Sequence, residues 1–172
     1  GRGENIYIIN VNSANPYEFI DVMTHRCDNH YIEYPSGSPL LTGIAIGGGS
    51  QNGYVGNMQL NPHYAMRIPH RNKHFRRSYS QKPVWEFQKE NLDALVLGNC
   101  TGEFLYQNFV YGSLYGIHFT EQDHLGVVDC VIHGHGTDGS KVGVFFEHDA
   151  EDGNIIMVNS EFFSLRKSSR NP

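Results

Sequence analysis

Residues 94–119 read ALVLGNCTGEFLYQNFVYGSLYGIHF, and the echo inside this stretch decides the fold. It opens on ALVLG (94–98) and closes on YGIHF (115–119), two short apolar runs of strand-forming character. A third copy follows at VGVFF (142–146), and an earlier one, GIAIG (43–47), leads into NMQL (57–60). One β-rich unit per ~20–30 residues, with turns of variable length, marks a parallel β-helix. In such a solenoid each strand pairs with its equivalents in the coils above and below, and inward side chains stack in rows. The spacing predicts one row from Ile44, Val96, Ile117 and Val144, and the next from Ile46, Phe119 and Phe146. A polar residue also recurs three positions before an apolar one: Gln107 and Val110, Asp129 and Ile132, Asn159 and Phe162. Asn, Asp or Gln at that place predicts a turn whose side chain bonds nearby backbone or ladders to the next coil.

Working outward, the whole 172-residue chain reads as one all-β domain, a parallel β-helix (solenoid) of roughly six coils. A hydrophobic fraction of 39% and a charged fraction of 18% suit a globular chain with a core. The net charge of −5 argues against a nucleic-acid partner. No run approaches the ~18 apolar residues of a helical span, so the reading is of a protein without membrane insertion. Three cysteines, Cys27, Cys100 and Cys130, form no disulfide framework and no metal knuckle, and leave the compartment undecided. The chain enters a strand directly after Gly1, Arg2 and Gly3 and ends in the polar SSRNP, which suggests a section of a longer β-helix.

One segment interrupts the coils, an insertion at about 66–92, MRIPHRNKHFRRSYSQKPVWEFQKENL. Its last part, 83–92, predicts a short helix with Pro83 in the first turn and Val84, Phe87 and Leu92 on or near one face.

The runs 43–64, 90–119 and 136–147 together resemble the pectate-lyase-like right-handed parallel β-helix superfamily, with polygalacturonase-related proteins the nearest pattern. The resemblance implies a right-handed solenoid, a secreted or cell-surface location, and a polysaccharide substrate lying along one parallel sheet. A Gly134-His135-Gly136 sequence matches that family's Gly-His-Gly loop, while its Asn-Thr-Asp strand, Asp-Asp pair and Arg-Ile-Lys strand are absent.

The candidate chemistry lies in acids that follow the first strand of adjacent coils. Glu121 and Asp123 follow Phe119, and Glu147 and Asp149 follow Phe146, 26 residues on. Strands ~4.8 Å apart would bring such carboxylates to glycosidase separations, and proximity would raise one pKa toward a general acid's range. These four are the candidate catalytic residues. His118, His135, Tyr64, Arg67, Arg71 and Arg76 are the candidate substrate contacts; the three arginines belong to the insertion's basic, aromatic-laced loop, suited to acidic sugars. No cofactor is expected, with calcium on the acids as an option. Histidines 133 and 135 alternate along one predicted strand, yet no zinc motif supports a metal site.

The leading expectation is thus an extracellular glycoside-hydrolase-like protein using paired carboxylates. The alternative is a non-catalytic structural, adhesive or carbohydrate-binding β-helix, with end-to-end or side-by-side self-association. A polysaccharide lyase is the third option.

Overall fold

The computed structural model describes residues 1–67, 81–148 and 153–164. The first coil runs β1 (Arg2–Glu4), β2 (Tyr7–Ile9), β3 (Asn12–Ala14) and β4 (Glu18–Val22). The second runs β5 (Arg26–Asp28), β6 (Tyr31–Glu33), β7 (Ser36–Ser38) and β8 (Thr42–Ile46). The third, β9 (Ser50–Gln51), β10 (Tyr54–Gly56) and β11 (Gln59–Leu60), passes through a 3-10 turn at Pro62–Arg67 and helix α1 (Gln81–Asn91) before β12 (Asp93–Leu97). The fourth runs β13 (Cys100–Thr101), β14 (Phe104–Tyr106), β15 (Phe109–Tyr111) and β16 (Tyr115–Phe119). The fifth runs β17 (Val127–Val128), β18 (Cys130–His133), β19 (Gly136–Ser140) and β20 (Val142–Phe146), and β21 (Ile155–Val158) and β22 (Glu161–Ser164) belong to the sixth.

Every strand pairing is parallel and joins successive coils. The fold is the parallel β-solenoid of about six coils that the repeat predicts, with one α-helix outside it among the described residues. Its second face is the sheet β2-β6-β10-β14-β18-β21, its third β3-β7-β11-β15-β19-β22, and its fourth β4-β8-β12-β16-β20. Strands β1 and β5, and then β9, β13 and β17, line the first face.

The core is a set of vertical rows. Ile8, Ile32, Val55, Leu105, Ile132 and Met157 stack along the second face. Val22, Ile46, Leu97, Phe119 and Phe146 stack along the fourth, with the Phe119 and Phe146 rings 4.6 Å apart and nearly parallel. The other fourth-face row corrects the sequence reading. It holds Ile20, Ile44, Leu95 and Val144 beside Ile117, whereas Val96 pairs with Ala45 and His118 on the outward side. The cause is phase: β12 begins at Asp93, and a one-residue shift moves a side chain to the opposite face.

Corners explain the Asn-rich sequence. Asn5, Asn29, Asn52, Gly102 and Asp129 mark one column of turns, and Asn10, Tyr34, Asn57, Gln107, Gly134 and Asn159 the next, all at positive φ. Asn tolerates this left-handed conformation better than branched residues do. The polar residues are therefore turn residues, as read, but Asp129 sits at the corner before the one occupied by Gln107 and Asn159. Two histidines read as one strand's alternation instead straddle Gly134: His133 ends β18 and His135 precedes β19.

Helix α1 packs through Trp85 and Gln88 rather than through Phe87, which is 42% exposed. Gln88 is buried and its Nε2 donates to Pro39 O at 2.7 Å. Trp85 stacks on Tyr111 with centroids 6.1 Å apart, and Lys89 Nζ lies 4.1 Å from the Trp85 ring. Leu92, just past the helix, is buried as expected.

Candidate functional site

The outward residues of the fourth face build a cleft. Three columns contribute: Glu18, Thr42 and Asp93; Asp21, Ala45, Val96 and His118; then Met23 and Thr120 at the edge. The cleft has a volume of about 370 Å³, and its lining contains no Lys or Arg among the described residues. Small side chains at Ala45 and Thr42 leave room in it, while the larger Tyr115 and Phe145 pack against His118 at its end. Their rings stack 4.7 Å apart, and each lies about 5 Å from the His118 ring.

His118 joins two acids from different coils. Its Nδ1 lies 2.6 Å from Asp93 Oδ2 and its Nε2 lies 3.1 Å from Glu147 Oε2. Thr120 Oγ1 donates to the same Glu147 oxygen at 2.5 Å. The side chains are unequally open: His118 is 12% exposed, Asp93 23% and Glu147 53%. Burial pushes the Asp93 carboxyl above its ordinary value and the nearby Glu147 charge adds to this, outweighing the His118 contact. The hydrogen bonds from Thr120 and His118 hold Glu147 below its ordinary value, against a small burial effect. Asp93 Oδ1 is buried with no hydrogen-bond partner, as suits a carboxyl that carries a proton. With Asp93 Oδ2–H donating to Nδ1 and Nε2–H donating to Glu147, one neutral imidazole satisfies both contacts. Two carboxyls pushed in opposite directions are the arrangement an acid–base pair requires.

Of the candidates from sequence, His118 and Glu147 meet in this cluster. Glu121 does not stack with Glu147, because Phe119 pairs with Phe146 and the coil is therefore 27 residues long, one more than the acids' spacing. Thr120 takes that place, and Glu121 instead lies 2.8 Å from His124 and 3.7 Å from His148. Asp123 is exposed in a tight turn at positive φ. His135 is buried in the solenoid interior, where Nε2 pairs with Thr137 Oγ1 at 2.8 Å and desolvation lowers its pKa to about 4. The Gly-His-Gly sequence is thus a corner with an inward ring. Tyr64 is buried in the 3-10 turn and donates to Gln59 Oε1 at 2.6 Å. Arg67 closes the 3-10 turn with its side chain outside the described residues, where Arg71, Arg76 and Asp149 also lie.

Asp93 escaped the sequence reading. It precedes an apolar run and looks like a turn residue; its only signal is the His118 position 25 residues on, in the equivalent strand. Asp21, also in the cleft, spends its carboxylate on Met23 N, Thr24 N and Thr24 Oγ1 and closes the turn there. Among the described residues, no group of three or more His, Cys, Asp or Glu side chains is placed to hold a metal ion.

No protein-family model, curated protein or solved structure matches this chain.

Proposed function

We propose that this β-solenoid hydrolyses a glycosidic bond of a polysaccharide lying along the fourth face, outside the cell, with Asp93 as acid and Glu147 as base. The observation that carries the reading is the Asp93–His118–Glu147 bridge at an open cleft, with its two carboxyls shifted in opposite directions. Parallel β-helices commonly serve polysaccharides, which supports the substrate class at the coarse level.

The chemistry follows from the bridge. Contacts on opposite sides of one imidazole set the acids beyond the ~5–5.5 Å of retaining pairs and toward the ~6.5–9.5 Å that admits a water. Glu147, ionised, takes a proton from that water as its oxygen bonds to the anomeric carbon. The glycosidic C–O bond breaks, and the leaving oxygen takes the Asp93 proton. The acids then hold each other's charge. Exchange with solvent resets them: Glu147 releases its proton to water and Asp93 takes one up, while His118 keeps its proton on Nε2. Inversion of anomeric configuration is the expected stereochemistry. A cleft walled by the Glu18 and Asp21 charges, with no Lys or Arg among its described lining residues, disfavours uronic polymers, which separates this reading from a lyase.

A panel of neutral, basic, uronic and sulfated polysaccharides, read by reducing ends and by absorbance of unsaturated products, tests the proposal. Reducing ends from one polymer, lost in Glu147→Gln and Asp93→Asn, are expected. Unsaturated products would replace hydrolysis by elimination. Silence across the panel from folded protein would favour the non-catalytic alternative. That alternative draws on a different observation: Tyr7, Tyr31, Tyr54 and Phe104 form a ladder up the second face, with centroids 5.9, 4.7 and 5.9 Å apart. Such a strip of ring edges suits a scaffold.

A further inference from the structure

The third face holds a hollow that the proposed reaction does not use. Phe109, Gly136 and Glu161 stand in one outward column of β15, β19 and β22, and Tyr111, Asp138 and Phe163 stand in the next. Gly136 leaves a gap in the first column, and the Phe109 ring leans over it: a Cβ at Gly136 would lie 3.0 Å from Phe109 Cδ2. The result is a cavity of about 470 Å³ between the Phe109 and Phe163 rings, with Thr137 backbone at its base. That size is ordinary for a small-ligand site.

Its polar groups are of one sign. Asp138 and Glu161 are diagonal neighbours on adjacent strands, a relation that sets side chains ~7–8 Å apart. Both are exposed, and neither carboxylate meets a cation or a hydrogen-bond donor among the described residues. Phe163 is 61% exposed, an unusually open position for a large ring beside two charges. Elsewhere on this face the rings are used up, as where Trp85 covers Tyr111.

We infer that this hollow binds a protonated amino sugar of a polysaccharide. An ammonium group satisfies both carboxylates and is attracted to the negative faces of the flanking rings. The C–H face of a pyranose covers Phe109, and the missing side chain at Gly136 gives that ring its room. A neutral sugar would leave two charges uncompensated, and an acidic one would be repelled. The inference rests on the carbohydrate reading above and narrows it to a basic glycan. The Asp93 cleft spans the first to fourth coils of the fourth face and the hollow the fourth to sixth coils of the neighbouring third face, so a long chain is held at one face and cut at the other.

Calorimetry with a glucosamine tetramer, at a pH where its amines are protonated, tests the site directly. Binding is expected, about tenfold tighter than for the N-acetylated tetramer or a glucose tetramer, and weaker at high salt. Asp138→Asn with Glu161→Gln should weaken it by about tenfold, and Phe163→Ala should do likewise. All three side chains are exposed, so folding is not at stake, and circular dichroism checks it. Glu147→Gln should leave this binding unchanged while removing hydrolysis. Equal affinity for the three tetramers, or affinity untouched by the Asp138 and Glu161 changes, would overturn the inference. Glucosamine binding with no cleavage of any polymer would leave this site standing and remove the hydrolytic reading; cleavage without such binding would do the reverse.

Discussion

His30 Nε2 lies 3.2 Å from Glu103 Oε2 in the solenoid interior, with the two side chains 1% and 0% exposed. His30 Nδ1 contacts Cys27 O at 2.9 Å, which places a proton there and turns Nε2 toward the carboxylate. The thiols of Cys27, Cys100 and Cys130 also feel Glu103, and burial together with that charge keeps them neutral. For His30, burial works against charge, but the hydrogen bond and charge of Glu103, the Cys27 carbonyl and Asp28 outweigh it, and its pKa is raised above 6.5. A buried charge is tolerated here because it is paired.

The sign of the resulting pH dependence is fixed. A histidine whose folded pKa exceeds its unfolded one contributes stability in full below about 6.5 and loses it as pH rises through the folded value. Urea midpoints should therefore fall as the pH is made more alkaline than about 6.5. Glu103→Gln should lower stability by about 1–3 kcal/mol and flatten that alkaline decline. An unchanged slope in the variant would assign the dependence to other groups.

Asp93 should separate activity from stability. Its carboxyl is raised, so its ionisation costs folded-state stability, a penalty that grows as pH climbs from 3.8 toward the folded value. Asp93→Asn removes the penalty and keeps a donor, the amide N–H, facing His118 Nδ1. The variant should match or exceed the wild-type melting temperature at neutral pH while hydrolysis falls ~10²–10⁴-fold. A lower melting temperature with retained turnover would make Asp93 a structural residue.

The difference between what the sequence discloses and what it hides lies in registration. The repeat and the turn residues are local signals, and Asn5, Asn10, Asn29 and Asn57 announce their corners individually. Row membership is harder. In ALVL every position is apolar, so nothing marks Leu95 rather than Val96 as inward, and the phase is set by pairing with Ile44. The site suffers from the same limit. His118 and Glu147 carry chemistry on their face, but Asp93 becomes functional only through a register that one residue's slip would destroy. Equal spacing of Glu121 and Glu147 was misleading for that reason.

Gly112 should act as the seat of the helix. Its φ is +76°, and a Cβ there would collide with the Trp85 indole. Gly112→Ala incurs both the left-handed penalty and the steric one, about 1–3 kcal/mol together. Trp85 is the chain's one tryptophan, so its emission reports on the docking. A red shift in Gly112→Ala, with the β signal in circular dichroism preserved, is expected. An unshifted spectrum would mean that the indole's burial does not depend on this contact.

Gln122 makes the longest-range side-chain hydrogen bond among the described residues. Its Oε1 accepts from Gly48 N at 2.6 Å and its Nε2 donates to Met23 O at 3.0 Å, reaching back 74 and 99 residues. The turn that carries it, closed by mutual Gln122 and Leu125 backbone bonds, follows Thr120 at the edge of the Asp93 cleft. Replacing Gln122 by Ala leaves Gly48 N and Met23 O without this partner and frees the turn from the corner. Stability should drop by about 1–3 kcal/mol. Because Thr120 is what orients Glu147, turnover should fall further than the stability loss explains, with KM little changed and kcat reduced. Gln122→Glu keeps the acceptor for Gly48 N and loses the donor to Met23 O. It should sit between wild type and Ala if the tie works through both bonds. Turnover in Gln122→Ala equal to wild type at a temperature where both are folded would show that the turn braces the solenoid without setting the cleft.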